Sequence, residues 1–160
     1  MKTLHFGIEM EMTGITREKA ANLMAGFFGT GWGTHKGGAY DTYTASDDKG
    51  RTWKAMSDSS IWAQRKVGGQ IEGATNEYRT EVVSPILSYD DIPKLQELVR
   101  TLRKAGALVN SSCGIHIHVG AEQFTPKTLR NLVNLMASKE DMIYHALQID
   151  PIREGRYCQK

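Results

Sequence analysis

Cysteine is nearly absent: Cys113 and Cys158 are the only two in 160 residues. They are too few for a disulfide framework, and their spacing makes no CxxC metal pair. No stretch approaches the roughly 18 consecutive apolar residues of a membrane span. The opening Met1-Lys2-Thr3-Leu4-His5-Phe6-Gly7-Ile8-Glu9 reaches a carboxylate before any apolar signal core can form. The expected setting is therefore the cytoplasm, with no membrane partner. Neither sign of charge prevails, since 20 Lys and Arg face 18 Asp and Glu. A nucleic-acid binder carries a basic stripe. The densest basic stretch here, Arg100 to Lys104, falls on an expected helix with an apolar face and reads as solvated surface. No nucleic-acid partner is expected. The glycine-rich stretch from Gly29 to Gly38 matches neither GxxxxGK[ST] nor GxGxxG, so it reads as a plain loop rather than a phosphate cradle.

What is present is an ordinary globular composition, 40% hydrophobic and 24% charged. There is no internal repeat, no low-complexity segment and no linker, so residues 1–160 are expected to form one domain. From Ile8 to Met12, apolar Ile8, Met10 and Met12 alternate with Glu9 and Glu11, the period of a strand. Thr16 then precedes a helix to Phe28 in which Ala20, Leu23, Met24 and Phe27 recur at helical spacing. Tyr40 to Ala45 and Arg51 to Ser57 flank Ser46-Asp47-Asp48-Lys49-Gly50 as a hairpin. A further strand region covers Ile71 to Glu72 and Glu77 to Pro85. A helix from Ile92 to Ala105 follows, with Pro93 in its first turn and Gly106 beyond its end. Ile115, Ile117 and Val119 alternate with His116 and His118 as another strand, and Thr125-Pro126 opens a long helix. The tail from Asp150 to Lys160 reads as turn and basic residues. This order predicts an α+β fold with a mainly antiparallel sheet, helices on one face and a polar face left open.

Glu9 and Glu11 share one strand face with stems about 7 Å apart. In a cleft, two like charges so placed call for a cation. His116 and His118 repeat the pattern with imidazoles, which suit several transition metals, while a majority of carboxylates around one imidazole favours magnesium or manganese. Each remaining candidate has a plain structural use. Glu81 can pair with a cross-strand cation, Asp58 can close an Asx-turn at a strand end, and Arg153 and Arg156 can line a solvated turn. The arginine forks also match phosphate oxygens.

Taken in order, these residues resemble a family. Phe6-Gly7-Ile8-Glu9-Met10-Glu11, Trp53-x4-Asp58-x-Ser60-Ile61, Glu81-Val82-Val83-Ser84-Pro85-Ile86-Leu87, Cys113-Gly114-Ile115-His116-Ile117-His118-Val119 and Arg153-x2-Arg156-Tyr157 are similar to the amidoligases. These are carboxylate–amine ligases with a catalytic domain of the glutamine-synthetase or glutamate–cysteine-ligase type, many of them bacterial or phage proteins. The resemblance implies an ATP-dependent enzyme that phosphorylates a substrate carboxylate and joins it to an amine, forming an amide or peptide-like bond. It implies Mg2+ or Mn2+ held by Glu9, Glu11, Glu81 and His116, with His118 nearer the nucleotide phosphates. It implies Arg153 and Arg156 on phosphate, Asp58 and Arg79 as substrate or metal-shell groups, and Asn110, Ser111 and Gly114 receiving the substrate. Its partners would be small-molecule or peptide carboxylates and amines.

Two departures stand out. Asp58-Ser59-Ser60 replaces the Asp-Gly-Ser of related chains, and those chains continue past the Arg-x-x-Arg-Tyr region. The expectation is that the C-terminal part of the catalytic fold lies outside this sequence, is supplied by a second copy, or is dispensed with. Two other readings compete. One is a non-catalytic binding or assembly module on the same scaffold. The other is a cupin-like metal protein built on His116-x-His118-x3-Glu122, for which Asn110 and Leu129 stand where glycines are expected.

Overall fold

A computed structural model describes residues 3–155. The chain divides into two compact units, the first ending at Val119 and the second starting at Gly120.

The first unit is built on a six-stranded sheet. Its strands are β1 (Phe6–Met12), β2 (Thr34–Gly37), β3 (Thr42–Ser46), β4 (Thr52–Met56), β7 (Thr80–Val83) and β8 (Ile115–Val119), in the spatial order β2-β3-β4-β7-β1-β8. All of its pairings are antiparallel. Between β4 and β7 the chain makes a separate two-stranded ribbon, β5 (Gln64–Val67) and β6 (Gln70–Gly73).

Two helices, α1 (Arg17–Phe28) and α2 (Ile92–Lys104), belong to the core of this unit. The strand alternation decides which side chains they cover. Met10 and Met12 of β1, Ala45 of β3, Trp53 and Ala55 of β4 and Val82 of β7 are buried with Ala20, Ala21, Met24, Leu98 and Leu102 of the helices. Removing such side chains from water stabilises the fold by about 25 cal/mol per Å2 of apolar surface. Thr16 caps α1 by accepting from the Lys19 N–H at 3.2 Å, and Gly29 ends it at φ 70°. The intervening residues of each strand project from the other side of the sheet, which carries Glu9, Glu11, Lys54, Glu81, His116 and His118.

A buried ionic knot fixes the far end of the sheet. Asp47 accepts the Lys49 and Arg51 backbone N–H groups at 2.9 and 2.8 Å. Arg51 also pairs with Asp47 and with Asp91. Asp91 accepts from Ser88 N at 2.9 Å and from Lys49 Nζ at 2.7 Å. The β3–β4 turn is thereby tied to the start of α2, and these cations hold the Asp91 carboxyl far below the ordinary range.

The second unit contains α3 (Pro126–Leu147) and the short α4 (Pro151–Glu154). Thr125 caps α3 and Pro126 takes its first position. Asp150 caps α4 through the Ile152 N–H at 2.8 Å. No helix among the described residues is long and apolar enough to cross a membrane.

Three elements differ from the sequence expectation. A strand, β2, forms inside the stretch read as a loop. The β5–β6 ribbon occupies residues of which the sequence predicts only Ile71 and Glu72 as strand. Asn76–Tyr78 forms a 3-10 turn at the start of the strand expected from Glu77 to Pro85, and β7 is confined to Thr80–Val83.

Candidate functional site

The register of the sheet assembles the polar residues on the open face. Glu9 stands opposite His116 across β1–β8 and opposite Val83 across β1–β7, while Glu11 stands opposite Glu81. Three glutamates and two imidazoles from three strands therefore share one face of the sheet, and Asp58, just beyond the end of β4, joins Glu11 and Glu81 there.

The Glu9 carboxylate lies between the two histidines. Its Oε2 is 3.0 Å from His116 Nδ1 and its Oε1 is 3.2 Å from His118 Nε2. His116 Nε2 is 3.7 Å from Glu11 Oε1. Glu11 is buried, 7% exposed. Its Oε2 accepts the Gly114 backbone N–H at 2.7 Å, leaving Oε1 for the centre of the cluster. Asp58 does make the Asx-turn: its Oδ1 accepts Ser60 N–H at 2.7 Å. It also offers a carboxylate oxygen to the group it forms with Glu11 and Glu81.

Glu81 is the shared member. Ligand atoms of Glu9, Glu81 and His116 all lie within 4.8 Å of one another, and so do those of Glu11, Asp58 and Glu81. Glu81 is half-buried, and its side chain makes no hydrogen bond or ion pair among the described residues. Its carboxyl is pushed up to about 7, chiefly by burial and then by the charges of Glu9, Asp58 and Glu11, with His116 opposing. Without a cation, the cluster is short of positive charge. Its donor set, carboxylate oxygens with an imidazole, suits a hard divalent ion such as Mg2+ or Mn2+. An unpartnered carboxylate at the point shared by both groups is what such ions would satisfy, so the residues fit the metal that the sequence implied.

The remaining predicted residues fall in three places. Asn110 is engaged in holding the chain together. Its Nδ2 donates to Trp62 O at 3.0 Å and to Gln64 Oε1 at 2.9 Å, and its Oδ1 accepts from Ser112 N at 3.0 Å and Ser112 Oγ at 2.6 Å. Ser112 Oγ in turn accepts Trp62 N–H at 2.8 Å. Asn110, Ser111 and Gly114 thus belong to a turn that joins the root of the β5–β6 ribbon to Glu11. Arg79 directly precedes β7, two residues before Glu81, and its Nε is buried without a hydrogen-bond partner. Arg153 lies on α4 in the second unit, and Arg156 lies outside the described residues.

Sequence reasoning missed the Gly114 N–H on Glu11. A backbone donor carries no residue signature, although glycine at the mouth of an H-x-H strand was a hint. It also missed Lys54, whose place beside the acids follows only from strand order.

Residues 2–160 match a protein-family model described as "Putative amidoligase enzyme". No curated protein and no solved structure matches the chain.

Proposed function

The chain belongs to the amidoligase family, and from that premise we propose that it is an ATP-dependent carboxylate–amine ligase working through an acyl phosphate with a divalent metal. The observation that carries this reading is the meeting of Glu9, Glu81 and His116 with Glu11 and Asp58 on the side of the sheet opposite α1 and α2. In this reading the sheet is of the glutamine-synthetase type, and the partners are a small-molecule or peptide carboxylate and an amine.

Glu9, Glu81 and His116 would hold one ion, and Glu11, Asp58 and Glu81 a second, with Glu81 common to both. When bound, such ions would supply positive charge to offset that of phosphate oxygens. Gly114 keeps Glu11 aimed at the site, and the Glu9 contacts orient both imidazoles, so little reorganisation remains when ligands arrive. His118, at the edge of the cluster, faces the nucleotide phosphates in this scheme. Arg153 and Arg156 keep the phosphate-contacting role given by their motif alone, and Arg79 is a substrate contact.

The chemistry balances without a redox step. A substrate carboxylate oxygen forms a bond to the γ-phosphorus as the bond to the bridging oxygen breaks, and ADP leaves with that electron pair. The amine then forms the C–N bond, phosphate leaves with the electrons of the C–O bond, and the nitrogen loses one proton to solvent. Excluding water from the site protects the acyl phosphate until the amine attacks.

Hydroxylamine tests the reading directly, because it replaces the amine and traps an acyl phosphate as a hydroxamate. With Mg-ATP and a panel of amino acids and other carboxylates, the expected result is hydroxamate and ADP in equal amounts, lost in Glu9→Gln and Glu81→Gln. ADP release that ignores the carboxylate contradicts the reading. Nucleotide binding without any turnover across the panel favours a non-catalytic binding module instead.

A further inference from the structure

Lys54 stands on the open face beside the acid cluster. It pairs in register with Thr44 on one side and Val83 on the other. Val83 pairs with Glu9, and Glu9 with His116. Thr44, Lys54, Val83, Glu9 and His116 therefore form one row across the sheet, projecting to the same side. At about 4.8 Å per strand, Lys54 and Glu9 are about 10 Å apart at the backbone, with only a short valine between them. Glu81, two residues before Val83, is the diagonal neighbour of Lys54, and stems so related lie about 7–8 Å apart.

The lysine is exposed, and its side chain makes no hydrogen bond or ion pair among the described residues. At the other end of the same stretch, Arg79 keeps a buried Nε without a partner. Two cations thus flank Glu81, Arg79 from just before β7 and Lys54 from the neighbouring β4, and neither pairs with it. Charge balance gives them a use. Two divalent ions would carry no more positive charge than Glu9, Glu11, Asp58 and Glu81 carry negative, so the phosphates of an incoming nucleotide would leave the cage net negative. Besides the arginines assigned by motif, a cation close to the cage would lower that charge, and Lys54 lies in the same row as Glu9.

We propose that Lys54 binds the terminal phosphate of a nucleoside triphosphate, and then the phosphoryl group of the acyl phosphate made from it, across Val83 from the Glu9–Glu81–His116 group. A lysine acts there as a mobile point charge that can follow the group as it moves from ADP to the carboxylate. The inference rests on the ligase reading.

Calorimetric titration of the whole chain separates the two. Wild type, Lys54→Met and Lys54→Arg are each titrated with Mn2+ alone, with Mg-ADP, and with Mg2+ and a non-hydrolysable ATP analogue. Lys54→Met is expected to lose about tenfold in affinity for the triphosphate analogue, while Mn2+ and Mg-ADP bind as in wild type and Lys54→Arg recovers most of the loss. Equal triphosphate affinity in wild type and Lys54→Met overturns the proposal. An equal loss for Mg-ADP, or for Mn2+ alone, also overturns it, because the lysine would then not be reading the terminal phosphate. A wild-type chain that takes up Mn2+ but neither nucleotide removes the ligase reading itself, and the Lys54 proposal with it.

Discussion

Glu11 and Gly114 clasp each other twice: the Glu11 backbone N–H donates to Gly114 O at 3.0 Å, and the Gly114 N–H donates to the Glu11 side chain at 2.7 Å. One residue of β1 and the residue just before β8 thus fix a buried carboxylate, with one oxygen spent on backbone and the other left for the site.

That clasp is held from behind by Asn110, which leads to a first prediction. Asn110→Ala removes donors to Trp62 and Gln64 and acceptors for Ser112 at once. The expected cost is about 2 kcal/mol of stability, with faster proteolysis in the β5–β6 ribbon and weaker Mn2+ binding, because Gly114 is no longer held against Glu11. Denaturant titration, limited proteolysis and Mn2+ calorimetry check it. Unchanged Mn2+ affinity would show that the turn does not orient Glu11.

A second prediction concerns the cost of the acid cluster. The folded chain raises the Glu81 pKa above its ordinary value, to about 7. Folding is therefore penalised where the unfolded chain has lost this proton, above about pH 4.5, and the penalty grows until the folded group also ionises. Below that pH both states are protonated and no penalty exists. Glu81→Gln removes it, so the metal-free variant should be more stable than wild type by roughly 1–2 kcal/mol at pH 8 and no different at pH 4. The same variant should lose Mn2+ binding. A variant that is less stable at pH 8 would mean that Glu81 has a partner.

The ionic knot gives the opposite pH behaviour. Asp91 has a depressed pKa, held down first by Arg51. Its contribution is present above the ordinary carboxylate range and is lost as pH falls toward the folded value. Asp91→Asn should cost about 3 kcal/mol at pH 7, since Arg51 and Lys49 lose their buried counter-charge. It should also flatten the decline of stability below about pH 4. Thermal unfolding across pH measures both.

A fourth prediction is steric. Gly14 has φ 82°, and a Cβ there would lie 2.4 Å from Gly106 O and 2.7 Å from Leu108 Cγ. The connection after β1 runs against the chain that leaves α2, and neither backbone can yield cheaply. Gly14→Ala should destabilise by about 2–3 kcal/mol. Gly26→Ala, in the last turn of α1 where nothing lies within 4 Å, is the control: a helical glycine replaced by alanine should gain up to about 0.5–1 kcal/mol.

Long periodic elements were legible in the sequence, and short polar ones were not. Met10, Met12 and Ile8 announce β1, and capping by Thr16 and Thr125 sets the starts of α1 and α3, as the structure has them. Gln64-Arg65-Lys66-Val67 and Gln70-Ile71-Glu72-Gly73 are almost wholly exposed, so no burial pattern marks them, and the ribbon depends instead on Thr13 and Asn110 at its root. Alternation alone puts Glu9 with Glu11 and His116 with His118 on one side of a strand. Which glutamate meets which histidine depends on register, a property of two distant strands that neither local sequence carries. For the same reason the neighbourhood of Lys54 appears only once β4, β7 and β1 are known to lie side by side.

The account stands most directly on where a divalent ion binds. Crystals grown with Mn2+ and a non-hydrolysable ATP analogue, measured at the manganese absorption edge, locate it without reference to turnover. Anomalous density is expected at the Glu81 carboxylate, with Glu9 and His116 or Glu11 and Asp58 as further ligands at about 2.1 Å, and the triphosphate over the face of the sheet that carries them. Density remote from Glu81, or an ordered nucleotide with no metal among these residues, would contradict it.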